Sequence, residues 1–594
     1  MILNKLKEYR SIIILLLVQA GLLLTHYTSI PFSHDELSAI SRCNVTSFNQ
    51  LITEGVRPDG HPAGVQLLLY GMIQAFGIHE WILKLPFLIA GLLSLLFLFN
   101  ISKRLFSNEA AIISSVLFIF SQYYLYQMTV ARPYSMGLCF VLGIFYYSLK
   151  MIDVPSERKN YFIWSLLLVG AYYSHYFSFL QALIIVALFA VIYFKQINWR
   201  YYLLGVGISL ICFIPHLSIT LYQLSMGGLG WLGKPDSHFF TAYFFTLFNE
   251  SVIMIAAFVL LLILTFSDII TSTRKVLLLA LLFIIPVAIL FLYSYYRAPV
   301  LQDAALFFCS PFLLILSGKG VLLLKRMAPA FILIITAASV FSLLFEKHYF
   351  QYKTYQPIER FVIKSKQLLQ QSPDPPKTLI VWKGNHNYLN YYLTKHGFNH
   401  PVITTDTLQN LSAIQFYKYN NIICNQLPPD MMTVIEKNFP DISSTDNNLS
   451  YTCQQLTAEG GQQALYYTAA VFSLYCEPDA EWSKNNYTEP LKESDRYRFL
   501  ELFPQPDTLM NEVELVVEVY HHNEKIHWAS TPVEKGNVLS LKLKDIVKEL
   551  PLDGDITWKC YLWNKEKQQL NPLAVVLKFR DDNPFEYRFT TEGL

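Results

Sequence analysis

SIIILLLVQAGLLLTHYTSIPFSHDELSAISR, residues 11–42, runs from an apolar stretch straight into two adjacent carboxylates, Asp35 and Glu36. Residues 11–28 are long enough to cross a bilayer, which takes about 17–25 apolar residues in a helix. The run is too long for a signal-peptide core, and no small-residue cleavage pattern follows it, so it reads as an uncleaved span. A charge near the centre of a span costs roughly 2.5–3.5 kcal/mol on insertion scales, so an acidic pair at the exit lies in a loop or marks a working site. Ser33 as helix cap, with the carboxylates on the positive end of the helix, accounts for the local structure. That reading and a working site are compatible.

Working outward, the 594 residues divide into two unlike halves. Up to about Phe345 the chain is a succession of apolar runs; beyond Tyr352 it turns polar and charged. The fold expected is a polytopic α-helical membrane domain with C-terminal soluble α/β and β-rich domains. About eleven spans are predicted, near 11–28, 82–101, 110–130, 134–151, 160–175, 177–194, 200–222, 250–268, 275–295, 304–323 and 328–346. The run 62–77, PAGVQLLLYGMIQAFG, is short and interrupted by glycine, and is read as part of an outer loop, 30–81, with helices on or dipping into the interface. With a cytoplasmic N-terminus, fifteen lysines and arginines gather on one side. The other side's loops and helix ends hold Arg42, Arg57, Lys84, Arg132, Lys234 and Arg297. This positive-inside bias puts Asp35, Glu36, His61, Arg132 and the C-terminal domains on the outer face. A net charge of +2 gives no reason to invoke nucleic acid.

Domain boundaries are placed at 1–346 for the membrane domain, 352–456 for a small α/β domain and 457–594 for a β-rich domain. KTLIVWKG, HPVITTD and NNIICNQ read as parallel strands between the helical stretches NYLNYYLTKHG and TLQNLSAIQFYKY. From EVELVVEVYHH to LAVVLKFRD, apolar and polar residues alternate between turn signals, a sandwich or barrel pattern. Eight cysteines lack C-x-x-C spacing, which argues against a zinc site; one disulfide, for instance Cys453 with Cys476, is compatible with an oxidising compartment. Trp482, Trp528, Trp558 and Trp563 are candidates for sugar stacking, although tryptophans in a small β domain are more often core.

Further stretches converge on the outer face. RPDGHPAGVQ (57–66) carries Asp59 and His61, TVARPYSM (129–136) carries Arg132 and Tyr134, and YYSHYFSF (172–179) carries His175 and Tyr176. Taken singly, each has an ordinary explanation: a turn with a helix-starting proline, a snorkelling arginine, an aromatic belt. Together they offer a carboxylate to take the proton of an attacking hydroxyl, and cationic or polar groups to offset charge on a departing phosphate. Asp35 and Glu36 are the catalytic candidates. His61, Arg132, Tyr134, His175 and Tyr176 are the candidates for binding donor phosphate or substrate.

The order HDE, HPAG, GIHEWILKLP, KRLF and VARPY resembles the protein mannosyltransferase-like glycosyltransferases of family 39 and their aminoarabinose transferase relatives. Motifs support the resemblance over roughly residues 10–220, and the span pattern extends it to about 346. It implies a GT-C enzyme moving a hexosyl or pentosyl unit from a polyprenyl-phosphate sugar to a protein, lipid or glycan acceptor. It also implies a bacterial inner membrane location, with the C-terminal domains periplasmic. Asp35 stands at the family's catalytic aspartate, Glu36 at its neighbour, His61 at the histidine of H-P-P, and Arg132 and Tyr134 in R-P-Y. Val130 stands where the family has a glutamate, Ala63 where it has a second proline, and QDAALFF (302–308) where relatives often carry an arginine-tyrosine pair. The cofactor stays open, a divalent metal being one option. Alternatives are a multi-span lipid or solute transporter or flippase, and an inactive GT-C-fold binding protein.

Overall fold

The computed structural model describes residues 2–404, apart from 228–232, 237, 269 and 271–272, and most of 414–581. It consists of two compact units, Met1–Gln356 and Pro357–Leu594.

The first unit is helical. Among the described residues, six helices are long and apolar enough to cross a membrane, Tyr9–Ser29, Glu80–Leu105, Pro133–Asp153, Trp199–Ser225, Thr273–Tyr296 and Ser310–Glu346, and a pair bent by 102°, Phe239–Leu247 with Val252–Ser267, makes up to seven. Shorter apolar helices are Gly64–Phe76, Asn108–Ile119 and Tyr176–Ile192. The difference from eleven uninterrupted runs has two sources: Arg158–Ser174 and Tyr176–Ile192 are unbroken but only 17 residues each, and other runs contain breaks that hydropathy does not register. The run 110–130 is two helices, Asn108–Ile119 and Gln122–Thr129. At the break, the Asn249 side chain donates to the Phe120 carbonyl at 2.8 Å and accepts Gln122 N–H at 2.8 Å. Asn249 itself sits at φ 57° in the bend of the other pair, so each break satisfies backbone groups of the other. The last two predicted spans, 304–323 and 328–346, meet at a kink on Lys325, whose φ is 48°. Lys353, just past them, donates to the carbonyls of Leu22, Leu23 and Thr25 and caps the end of the first span. The unit's core runs through these helices other than Gly64–Phe76, with Trp164, Tyr124 and Tyr172 fully buried.

The second unit begins with the helix Pro357–Gln371 and a six-stranded sheet of order β2-β1-β3-β5-β4-β6. Its strands are β1 (Thr378–Trp382), β2 (Ile403–Thr404), β3 (Asn421–Asn425), β4 (Asp441–Asn448), β5 (Tyr451–Thr457) and β6 (Gln462–Gln463). The predicted parallel arrangement holds for β2-β1-β3; β5 then joins β3 antiparallel, and the sheet extends past 456 to take in β6. Of the predicted helix TLQNLSAIQFYKY, residues 407–413 lie outside the described residues.

Two antiparallel four-stranded sheets follow, of order β11-β10-β13-β8 and β12-β9-β14-β7. These strands are β7 (Tyr466–Cys476), β8 (Tyr487–Lys492), β9 (Arg498–Gln505), β10 (Val513–His521), β11 (Glu524–Pro532), β12 (Leu539–Lys542), β13 (Asp553–Asn564) and β14 (Leu570–Asp581). Alternate residues of both sheets, among them Leu500, Leu502, Leu515, Val517, Trp558, Leu562, Val575 and Leu577, make one core, the outcome expected of the period-two pattern. Trp558 is thus core, whereas Trp482 and Trp528 are exposed and Trp482 stacks on Trp563. All eight cysteines are free: Cys453 belongs to the six-stranded sheet and Cys476 to the sandwich core, so the suggested disulfide is not formed.

Candidate active site

The helix His34–Cys43 starts on a complete capping box. Ser33 Oγ accepts Glu36 N–H at 3.3 Å, and Ser33 N–H donates to Glu36 Oε2 at 2.8 Å. The two adjacent carboxylates have opposite surroundings. Glu36 is fully buried; its Oε2 also accepts Lys84 Nζ at 3.0 Å, and its Oε1 accepts Ala131 N–H at 2.6 Å. Lys84, equally buried, donates to the Pro31 carbonyl at 2.8 Å and lies 5.5 Å from the centre of the Phe32 ring. One carboxylate therefore joins the start of this helix, the helix Glu80–Leu105 and the peptide just before Arg132.

Asp35 faces outward, with 69% of its side chain exposed and His34 Nδ1 at 3.8 Å from Oδ1. The neighbouring His34 is the main influence holding its carboxyl below the usual range; partial desolvation opposes this, and the positive fields of Arg132 and His61 add to it. Asp35 is accordingly ionised at neutral pH and open to a hydroxyl approaching from solvent.

Asp59 supplies a second, buried carboxylate. Its Oδ1 accepts Gly60 N–H at 2.9 Å and lies 3.3 Å from His61 Nδ1 and 3.4 Å from Arg42 Nη2, while its Oδ2 accepts the Gln66 amide. Burial pushes this carboxyl up, but His61, Arg42 and Arg132 outweigh it and hold it well below the usual range. The His61 ring meets His175 edge-on at 4.9 Å, and His175 lies 5.6 Å from Tyr134 and 5.1 Å from Phe308. Phe307 and Phe308 belong to the short helix Asp303–Phe308, so the QDAALFF segment contributes an apolar wall against Tyr134 and His175.

Arg132 is the N-cap of the helix Pro133–Asp153, which Pro133 starts with its fixed φ. It is 92% buried, being 8% exposed, and its Nε has no hydrogen-bond partner. Among the described residues no carboxylate pairs with it within the 4.0 Å of a salt bridge. A buried guanidinium left without an anion is prepared to receive one, and its planar fork suits two phosphate oxygens.

The structure thus gathers His61, Arg132, Tyr134 and His175, with Asp35 within reach of the charge of Arg132 and His61. Glu36 turns away into its ion pair. Tyr176 also turns aside: its hydroxyl donates to Gln223 and lies 3.2 Å from Thr220 Oγ1. The sequence reading quoted Lys84 and Asp59 without giving them roles. Their signals were the lysine of GIHEWILKLP and a carboxylate two residues before His61. Arg42 and Gln66 likewise fell in quoted stretches without a role, and His216 and Gln223 had no such signal. Among the described residues no group of three or more His, Cys, Asp or Glu side chains is arranged to hold a metal ion.

Comparison with known proteins bears on this arrangement. Residues 60–219 match the family model described as dolichyl-phosphate-mannose-protein mannosyltransferase, in agreement with the resemblance drawn from the motifs. No curated protein matches the chain in sequence. Among solved structures, the chain is similar to ArnT from Cupriavidus metallidurans in the apo state, with 12% identity and a TM-score of 0.47 over 75% of this chain and 99% of that one. The same protein bound to undecaprenyl phosphate gives 11% and 0.49 over 76% and 100%. The archaeal oligosaccharyltransferase AglB from Archaeoglobus fulgidus, in complex with an inhibitory peptide and a dolichol-phosphate, gives 9% and 0.45 over 74% and 73%.

Proposed function

We propose that this chain is a GT-C-type membrane glycosyltransferase that moves a sugar from a polyprenyl-phosphate donor to an acceptor hydroxyl on the outer face of the membrane. The observation that carries the reading is the buried guanidinium of Arg132, whose Nε has no hydrogen-bond partner, within electrostatic reach of the ionised, exposed carboxylate of Asp35. The match over residues 60–219 supports it, since that segment contains His61, Lys84, Arg132, Tyr134 and His175.

Asp35 takes the proton of the acceptor hydroxyl as its oxygen bonds to the anomeric carbon. The bond from that carbon to the phosphate oxygen breaks, and its electron pair leaves with the lipid phosphate. Arg132 binds the phosphate oxygens, and His61, oriented by Asp59, faces the same charge. Glu36 acts as a positioning residue through Ser33 and Ala131. The lysine and arginine bias supports an outer-side position for the site, which in a bacterial inner membrane is the periplasm.

Mass-spectrometric comparison of glycolipids and glycoproteins from cells with and without the gene tests the activity. The expected result is a sugar-bearing species that disappears with the gene, and identical profiles would overturn the reading. Arg132 offers a narrower test. Replacing it by lysine keeps the charge but removes the fork, so binding of undecaprenyl phosphate to purified protein is expected to weaken by about ten- to a hundredfold, from a charged hydrogen bond of about 1.5–3 kcal/mol. Unchanged affinity in both the lysine and alanine variants would reduce Arg132 to an interfacial anchor.

A further inference from the structure

The loop carrying Asp59 and His61 is held by a polar latch that the reaction scheme above does not use. Ala63 begins the turn into the helix Gly64–Phe76 with φ −65°, an angle that proline also adopts. Its N–H is nevertheless engaged: it donates to His216 Nε2 at 3.0 Å. A backbone N–H can only donate, so His216 Nε2 must be the unprotonated nitrogen, and Nδ1 carries the proton toward Thr220 Oγ1 at 2.9 Å. The same helical segment supplies Gln223, whose Nε2 donates to the carbonyls of Val56 at 2.9 Å and His61 at 3.1 Å. Tyr176 braces both partners through Thr220 and the Gln223 amide oxygen. Gly64 completes the docking: a side chain there would lie 2.5 Å from the Tyr173 carbonyl oxygen.

We propose that neutral His216 is a positioning residue for the donor site, fixing the 56–63 loop and hence His61 and Asp59 in place, and that its protonation releases the loop. The inference rests on the proposed function only for the consequence at the donor phosphate; the latch itself stands on geometry. An imidazolium has two donors and no acceptor, so it cannot receive Ala63 N–H and instead sets two donors against each other. The groups packed on the His216 ring are Phe213, stacked at 5.2 Å, and Tyr173, edge-on at 5.6 Å, with Thr220 and Ala63 at its nitrogens. None of these is a carboxylate that would compensate an imidazolium. The latch is therefore present while the ring is neutral and is lost when the ring takes a second proton.

Hydrogen–deuterium exchange of the full-length protein in nanodiscs at pH 7.5 and 4.5, low enough to protonate a buried imidazole, corrected for intrinsic exchange, reads the latch directly. In the wild type, protection of the peptide spanning 56–63 is expected to fall about three- to tenfold at the lower pH, the scale of one lost hydrogen bond. His216→Gln provides an amide oxygen that accepts Ala63 N–H without titrating, and should show equal protection at both pH values. Ala63→Pro keeps the φ angle and removes the donor, so its remaining protection should be equally insensitive to pH, which keeps the test open if one variant folds poorly. Equal wild-type protection at both pH values, or a variant response as large as the wild type's, would overturn the proposal. Undecaprenyl phosphate binding followed in parallel separates the two ideas. A pH-dependent loop in a protein that binds no lipid phosphate would sink the functional reading and leave the latch. Lipid binding with a pH-indifferent loop would do the reverse.

Discussion

Asp35→Asn is expected to lower turnover by about 10²- to 10⁴-fold, the usual contribution of a general base, while leaving undecaprenyl phosphate binding and thermal stability close to wild type. The stability part follows from the geometry. Asp35 is exposed, and the helix start is secured by Ser33 and Glu36, so amidation at Asp35 leaves the cap intact. Ser33→Ala is the complementary variant: it removes the cap bond at a cost of about 1 kcal/mol in stability and retains the base. Turnover in proteoliposomes, with unfolding measured on the same preparations, separates the two. A well-folded Asp35→Asn protein that transfers sugar at the wild-type rate would leave the helix-start reading alone. The pH profile adds a check, because the carboxyl of Asp35 is held below its usual range and so stays ionised above it. Its protonation would take the base away only below the ordinary carboxylate range. Activity lost nearer pH 6 belongs to a group other than Asp35.

The largest effect on stability is expected at Lys84. Lys84→Met leaves the Glu36 carboxylate, with no exposed surface, without its cation, and breaking one side of a buried ion pair typically costs about 3–5 kcal/mol. Adding Glu36→Gln should recover part of that loss, because the amide is neutral and its oxygen still accepts a backbone N–H. Thermal unfolding in detergent of Lys84→Met, Glu36→Gln and the double variant closes the cycle. The two single losses simply adding in the double variant would remove the claim that these groups act as a unit. Because Glu36 also accepts Ala131 N–H next to Arg132, the Lys84 variant should weaken binding of undecaprenyl phosphate as well. Asp35→Asn should leave that binding unaltered, so the two lesions are distinguishable.

The sequence by itself determined the kinds of element and the chemistry available. Apolar runs of spanning length become helices, and the alternating C-terminal segments become paired strands, because period and hydropathy are local properties that any tertiary arrangement has to satisfy. The order of the HDE, HPAG and VARPY motifs likewise singles out His61, Arg132 and Tyr134. The tertiary structure alone decided how those groups divide the work. Asp35 and Glu36 are neighbours about 100° apart on one helix. Which of them is buried depends on Lys84 and Ala131, 48 and 95 residues away in the chain. The break at Phe120 depends on an asparagine 129 residues further on, and the use of the Ala63 N–H on a histidine 153 residues further on. Such long-range partners leave no periodic trace in the sequence, because a single polar side chain meeting a single backbone group changes neither hydropathy nor helical phase.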